Sequence, residues 1–424
     1  MGAISERDKD YLPRIVDLQV QRGLSSSGAI LLEGPRGCDK TMTGMYHANS
    51  SVLLDDPRVQ KLIEVDPDFP LTGESPRLID EWQLSPHVWN QVRRAVDRKE
   101  GFGHFILTGS SVPADDVTRH TGAARFMRIK QRTMTWLEKG FSEPQVLLRE
   151  LFEGKTVATN PHQFTLDRII EALLTSGFPA QRTLSPEQAQ EVLASYLHEI
   201  THTDVYRIAA LRHDPIVVEQ LIKALARSVA TEVSVSTLRK DLLSVSPTIT
   251  AESVAKLLDL LQRVFAVEAV PPWAPTLRSR ARLRRARKYH LADASLAAAA
   301  LGANADTLAT DVETLGFLFK SAVIHDLAVM VEAMGGTLYH YRDSNGYEID
   351  AVLQLFDGRW AAVEITLGYG QVEAGIKRLQ RAVEQIDADQ PPAFMAVISG
   401  TGMSYTDPSG VVTFPHLGLG FSNP

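Results

Sequence analysis

The chain has 424 residues, 44% hydrophobic and 22% charged, and its 44 Lys and Arg against 51 Asp and Glu give a formal net charge of −7. That length exceeds what one hydrophobic core usually spans, so two or three domains are expected, and the negative balance excludes a protein covered in nucleic-acid-binding surface while leaving room for a local basic patch. The lone cysteine, Cys38, excludes an internal disulfide; the amino terminus, with Glu6, Arg7, Asp8, Lys9 and Asp10, lacks the apolar core of a signal peptide, and no uncharged apolar run reaches membrane-spanning length. A cytoplasmic protein with no membrane partner is expected.

Along the chain, Gly28-Ala-Ile-Leu-Leu-Glu-Gly34-Pro-Arg-Gly37-Cys-Asp39-Lys40-Thr41 reads as a buried strand, a glycine-rich turn and a helix start. Glycines let successive backbone N–H groups converge on an anion, a lysine reaches the outer phosphates of a nucleotide, and a hydroxyl serves magnesium. Gly34, Gly37, Lys40 and Thr41 supply these, which points to ATP and Mg as cofactors. The full pattern wants glycine just before the lysine, where this chain has Asp39. A carboxylate there repels the β-phosphate, and a Cβ is unfavourable if the loop needs a left-handed backbone.

A second β-α unit begins with Ser51-Val-Leu-Leu-Asp55-Asp56, and Pro76-Arg-Leu-Ile-Asp80-Glu81 is an apolar strand ending in two acids. That ending suits one carboxylate on hydrated magnesium, Asp80, and another on the attacking water, Glu81. A helix follows through Trp89, Val92 and Val96, then the strand Gly103-His-Phe-Ile-Leu-Thr108-Gly-Ser110. Strands alternating with helices predict an α/β fold with a parallel sheet, helices on both faces and ligands at the carboxyl ends of the strands. Lys40, Asp80 and Thr108 would meet there, Thr108 sensing the γ-phosphate or orienting water.

These segments, together with Tyr11-Leu-Pro-Arg-Ile-Val-Asp17 and Thr121-Gly-Ala-Ala-Arg-Phe126, resemble a large prokaryotic family of AAA-type ATPases fused to a carboxyl-terminal domain of unknown function (DUF4143). The resemblance runs over nearly the whole chain. It implies that Lys40 and Thr41 contact phosphate and magnesium, that Asp80 and Glu81 are the Walker B pair, that Thr108 is the sensor, and that position 39 should be glycine. Arg125 and Arg128 follow the sensor strand and are expected in solvated or structural pairs.

Pro161 to about Leu211 is helical, with Leu166, Ile169, Ile170, Leu173 and Leu174 in one stripe, and is expected to form a lid; His198, His202 and His213 are read as solvated or core-satisfied. Three helices and a strand pair follow between Ile216 and about Leu301 and read as a winged helix, in agreement with the family. Between its strands, Arg278, Arg280, Arg282, Arg284, Arg285, Arg287 and Lys288 make seven basic residues in eleven, expected as an intramolecular or solvated wing, with a grip on DNA phosphates that does not read sequence as the alternative.

From Asp311 the order α-β-β-β-α-β resembles the PD-(D/E)xK nuclease core. Asp350 and Glu364 would hold metal, but Thr366 replaces the lysine expected two residues after Glu364, and the glutamate that the family tends to carry after Phe319 is here Lys320. The site is therefore read as vestigial. The expected domains are an ATPase core (1–155), a helical lid (156–215), a winged helix (216–305) and a nuclease-like domain (306–424). The expected function is ATP binding with weak or absent hydrolysis, coupled to the winged-helix and nuclease-like half. The alternatives are a non-catalytic DNA-associated or protein-binding regulator and, third, a metal-dependent nuclease. The sequence does not define an oligomeric state.

Overall fold

The fold, taken from a computed structural model, is described for residues 11–111, 123–161, 164–208, 214–275 and 287–422. It divides into two units: residues 1–133 with 204–210 and 263–266, and the remainder.

The first unit alternates helix and strand as the pattern of short apolar runs dictates: α1 (Asp17–Ser26), β1 (Ala29–Glu33), α2 (Lys40–His47), β2 (Ser50–Leu53), α3 (Pro57–Val65), β3 (Arg77–Asp80), α4 (His87–Arg98), β4 (Phe105–Gly109) and β5 (Phe126–Lys130). All five strands are parallel in the order β2-β3-β4-β1-β5. Side-chain alternation along a strand sends Ile30, Leu32, Leu78 and Ile106 to one face, where Val16 and Val20 cover them. Ala29, Leu31, Ile79 and Leu107 go to the other, under Trp89 and Val92 of α4. Burial of both faces explains why these strands are continuously apolar instead of alternating.

The second unit begins with β6 (Val146–Leu147), α5 (Leu148–Phe152), β7 (Asn160–Pro161), α6 (Leu166–Leu174) and α7 (Pro186–Glu199), the last started by a reciprocal Ser185–Gln188 capping box. A π-helical turn (Ile200–Asp204) leads to α8 (Val205–Ile208), whose residues belong to the first unit. Next come α9 (Pro215–Arg227), α10 (Val235–Leu242), α11 (Ala251–Arg263) and the antiparallel pair β8 (Val267–Val270) and β9 (Lys288–Leu291). Ser234 caps α10 by accepting from the Thr237 N–H.

The chain ends with α12 (Ala294–Leu301), α13 (Ala305–Thr310), α14 (Val312–Ala333), β10 (Gly336–Arg342), β11 (Glu348–Leu355), β12 (Trp360–Thr366), α15 (Val372–Glu384), β13 (Phe394–Ser399), β14 (Met403–Thr406), β15 (Val412–Pro415) and β16 (Leu419–Gly420). The expected α-β-β-β-α-β order is present, and β14 to β16 extend it. Seven strands form one mixed sheet in the order β10-β11-β12-β13-β15-β14-β7. Val372, Ile376 and Leu379 of α15 pack with Val352, Ala362 and Val397 of this sheet.

Helix α14 is long and apolar enough to cross a membrane by length and composition, but most of it is buried inside the protein. It also carries Asp326, which the Trp136 N–H contacts at 2.9 Å, with ring nitrogens of His325 and His416 at 2.9 and 3.0 Å. Burial alone would push the Asp326 carboxyl up; the hydrogen bonds from the two imidazoles hold it well below the usual carboxylate range. A charge so embedded belongs to a protein interior.

Candidate functional site

In the order β2-β3-β4-β1-β5 the strands β3, β4 and β1 are neighbours, so their carboxyl ends bring three polar groups together. Thr41 Oγ1, at the start of α2, donates to Asp80 Oδ1 at 2.8 Å. The Thr108 hydroxyl donates to the same oxygen and accepts from the Glu81 N–H at 3.1 Å. Two oxygens on adjacent vertices of an octahedral magnesium with bonds of about 2.0–2.1 Å lie about 2.8–3.0 Å apart. The Thr41–Asp80 pair has that spacing and the hard oxygen chemistry that magnesium takes.

The glycine-rich turn has specific backbone demands. Gly37 has φ +74° and Asp39 has φ +66°, both left-handed. Position 39 thus adopts the conformation that glycine takes most easily; aspartate is among the few side chains tolerated there, at some strain. Its carboxyl is pushed up by burial, against which Arg14 and Lys40 act. Gly34 is required for a different reason, because a Cβ there would stand 2.0 Å from the Gln131 carbonyl oxygen. The Gln131 amide in turn donates to the Cys38 carbonyl at 2.7 Å, and Arg14 donates to the Arg132 carbonyl at 3.0 Å. The segment from Tyr11 to Asp17 therefore helps to hold the loop: the Tyr11 hydroxyl donates to Asp17 at 2.7 Å and lies 3.1 Å from Thr43 Oγ1 on α2.

Lys40 is buried and donates to the carbonyls of Gly34 at 3.0 Å and Pro35 at 2.7 Å, so its ammonium rests against the loop's own backbone. Glu81 also has a left-handed backbone, φ +52°, and its carboxylate accepts from Ser110 Oγ at 3.1 Å and from the Gln83 amide. A cleft of about 470 Å³ opens here, lined among others by Arg36, Glu81, Gln83 and Ser110. Arg125 pairs with Asp97 at 2.8 Å and Arg128 with Glu33, the structural pairing expected of them.

In the second unit a pocket of about 620 Å³ is lined by Lys320, Glu348, Asp350, Glu364, Arg378 and Arg381 among others. Lys320 Nζ contacts both Asp350 oxygens at 2.9 Å, and Arg378 of α15 donates twice to Glu364, at 3.0 and 2.7 Å. Burial and then the Asp350 charge push the Glu364 carboxyl up to about 7 in spite of Arg378 and Lys320. Burial would lower the Lys320 ammonium, but Asp350, Glu364 and Glu348 outweigh it and hold it up. Thr366 is buried and its hydroxyl has no hydrogen-bond partner among the described residues. Gly375 of α15 passes close above it, a Cβ there falling 3.3 Å from Thr366 Cγ2.

Arg278, Arg280, Arg282, Arg284 and Arg285, like His213 and the Thr121–Gly122 start of one resembling segment, lie outside the described residues. Arg287 is exposed, but Lys288, grouped with it in the basic run, is buried and paired with Glu348. Sequence reasoning misses three features: Arg378 on Glu364, the loop supports Tyr11, Arg14 and Gln131, and the gathering of His198, His202 and Glu219 within one small volume. The last has a sequence signal in the spacing His198-Glu199-Ile-Thr-His202, and Tyr11 and Arg14 lie in a segment already singled out by its resemblance, though not as supports of the loop.

Comparison with known proteins agrees with the carboxyl-terminal expectation. Residues 166–307 match a family described as a domain of unknown function (DUF8612), and residues 315–416 match another, DUF4143. Among solved structures, a Walker-type ATPase of Pyrococcus abyssi is similar, with a TM-score of 0.41 and 12% identity over 69% of this chain and 96% of that one. No curated protein matches the chain. The sequence therefore joins a parallel α/β unit bearing a glycine-rich loop to a region that matches DUF4143 and holds Lys320, Asp350, Glu364 and Thr366.

Proposed function

We propose that the first unit binds magnesium and ATP at the carboxyl edge of its parallel sheet, as an AAA-type protein whose hydrolysis is weak or absent. The observation that carries this reading is the convergence of Thr41, Asp80 and Thr108 beside a glycine-rich loop. Thr41 and Asp80 would hold magnesium, which when bound offsets the negative charge of the outer phosphates. Lys40 exchanges the Gly34 and Pro35 carbonyls for phosphate oxygens. Thr108 fixes the Asp80 carboxylate and the Glu81 backbone, and Glu81, gripped by Gln83 and Ser110, orients water. Asp39 opposes all of this by placing a carboxyl where the polyanion enters. The test is calorimetric titration with ATP and magnesium, together with phosphate release. Binding that disappears in Lys40→Ala is expected; binding that survives that change unaltered would remove the loop from the account.

The DUF4143 domain is proposed as a nuclease-like docking module that does not cut, behind a winged helix formed by α9, α10, α11, β8 and β9. The Lys320–Asp350 and Arg378–Glu364 pairs support this, because both carboxylates that would hold metal are already paired with cations. The same Lys320 gives the nuclease reading its one specific support, since it brings an ammonium to Asp350 that position 366 lacks. Incubation with plasmid and single-stranded DNA in magnesium and in manganese decides: no cutting is expected, and cutting abolished by Asp350→Ala would make the chain a nuclease.

A further inference from the structure

Helix α7 ends with His198 in its last turn, and the π-helical turn that follows carries His202. Residues four apart lie on one helix face, so the two imidazoles are stacked, with centroids 3.8 Å apart and planes inclined by 26°. Glu219 of α9 comes up beside them, its Oε1 3.8 Å from His202 Nε2. A nitrogen from each ring and a Glu219 oxygen all lie within 4.8 Å of one another. In a tetrahedral site with bonds of about 2.0 Å, donors are about 3.3 Å apart, so modest side-chain rotation closes these three around an ion.

The ring of His202 is already oriented for such a role. Its Nδ1 lies 3.1 Å from the His198 carbonyl and 2.9 Å from the Thr201 hydroxyl, and that hydroxyl itself donates to the same carbonyl at 3.0 Å. With the Thr201 proton committed to the carbonyl, Nδ1 carries the imidazole proton. The lone pair is then on Nε2, the atom facing Glu219. A backbone acceptor that fixes the tautomer of a histidine in this way is a recurrent support of metal ligands. The π turn is a second, separate sign, because single π turns interrupting α-helices occur often at functional sites.

We propose that His198, His202 and Glu219 bind one divalent late transition-metal ion, with Zn²⁺ as its best representative and a coordination position left for water. Two imidazoles and one carboxylate favour zinc, cobalt, nickel or copper over magnesium or calcium, which take oxygen ligands. Glu199 stands next to the first histidine in the His-Glu-x-x-His spacing that, in zinc hydrolases, provides two ligands and a base on one helix. The site is independent of the proposed nucleotide binding and uses none of its residues.

The full chain, freed of metal by a chelator, is titrated with Zn²⁺ against a chromogenic competitor and separately with Co²⁺ while visible absorption is recorded. One Zn²⁺ per chain is expected, with affinity reduced at least tenfold in His202→Ala and in Glu219→Gln, and Co²⁺ should give the intense bands of a four-coordinate centre. Glu219→Gln preserves shape and removes only the charge, and circular dichroism of each variant verifies that the helices remain. Zn²⁺ binding that is absent, or that is the same in folded variants as in the parent chain, overturns the site. A weak six-coordinate Co²⁺ spectrum does so as well.

Discussion

In the readings proposed above, the glycine-rich loop of the first unit and the carboxylate pocket of the second each lack the residue that the phosphate-loop and nuclease patterns most require, yet the two differences are unlike in kind. The pocket lacks a charged group, the lysine whose place Thr366 takes, and a charged group can arrive from elsewhere in the fold: Lys320 reaches Asp350 from α14. The loop lacks a glycine, and what glycine provides is a backbone conformation. No side chain from another element can relieve the left-handed φ of +66° at Asp39, nor remove its carboxylate from the proposed anion path. A charge missing from one position can thus be brought by another element, whereas a backbone conformation can be restored only at the position itself.

Substitutions at both sites probe this contrast. Gly34→Ala should be the most damaging, because its Cβ meets a backbone carbonyl at 2.0 Å that cannot turn aside; about 3 kcal/mol or complete loss of the fold is expected in denaturant titration. Lys320→Met leaves the Asp350 carboxylate, 8% exposed, without its cation, and should lower stability by about 1–3 kcal/mol, part of which Asp350→Asn should restore. Wild-type stability in the Lys320→Met protein would show that the pair is incidental.

The pH dependence follows from Glu364, whose carboxyl is raised from 4.5 to about 7. Between these values the native state keeps a proton that the unfolded chain has released. The contribution of this group is thus full below pH 4.5 and is lost as pH rises through about 7, a decline of about 1–3 kcal/mol that Glu364→Gln should flatten. Thr366→Lys should confer no nuclease activity and should destabilise, because Gly375 of α15 covers the buried threonine. A gain of metal-dependent cutting in that variant would refute the packing argument. The smallest effect concerns DNA: any binding should be non-specific, and joint neutralisation of Arg282, Arg284, Arg285 and Arg287 should flatten its salt dependence, by up to about 0.9 in log–log slope for each phosphate no longer neutralised. A slope unchanged by that substitution would place the DNA on another surface.

Much of the first unit is legible because its signals are local. Apolar runs of four or five residues ending in Gly34, in Asp80-Glu81 and in Thr108-Gly-Ser110 define parallel strands and name the groups at their carboxyl ends. The loop pattern raises a left-handed backbone at Asp39 only as a condition, and the φ of +66° meets it. The second unit hides more, because its pairings depend on distance in space. Lys320 and Asp350 are separated by thirty residues and meet only when α14 lies beside β11. Arg378 has no sequence signal beyond its place on a polar helix face. In the basic run, composition treats Arg287 and Lys288 alike, whereas strand alternation turns Lys288 inward to Glu348. The loop pattern assigns Gly34 to the phosphate cradle, and its closeness to the Gln131 carbonyl adds a packing reason that no local pattern carries.

If Asp39 is what weakens the nucleotide site, titration of Asp39→Gly beside the parent chain with ATP and magnesium shows it most directly. Removing a carboxylate from a partly screened anion site and relieving the backbone should gain about 1–3 kcal/mol, read as roughly one to two decades of tighter binding that disappears when Lys40→Ala is added. Affinity in Asp39→Gly equal to or weaker than that of the parent would contradict the account.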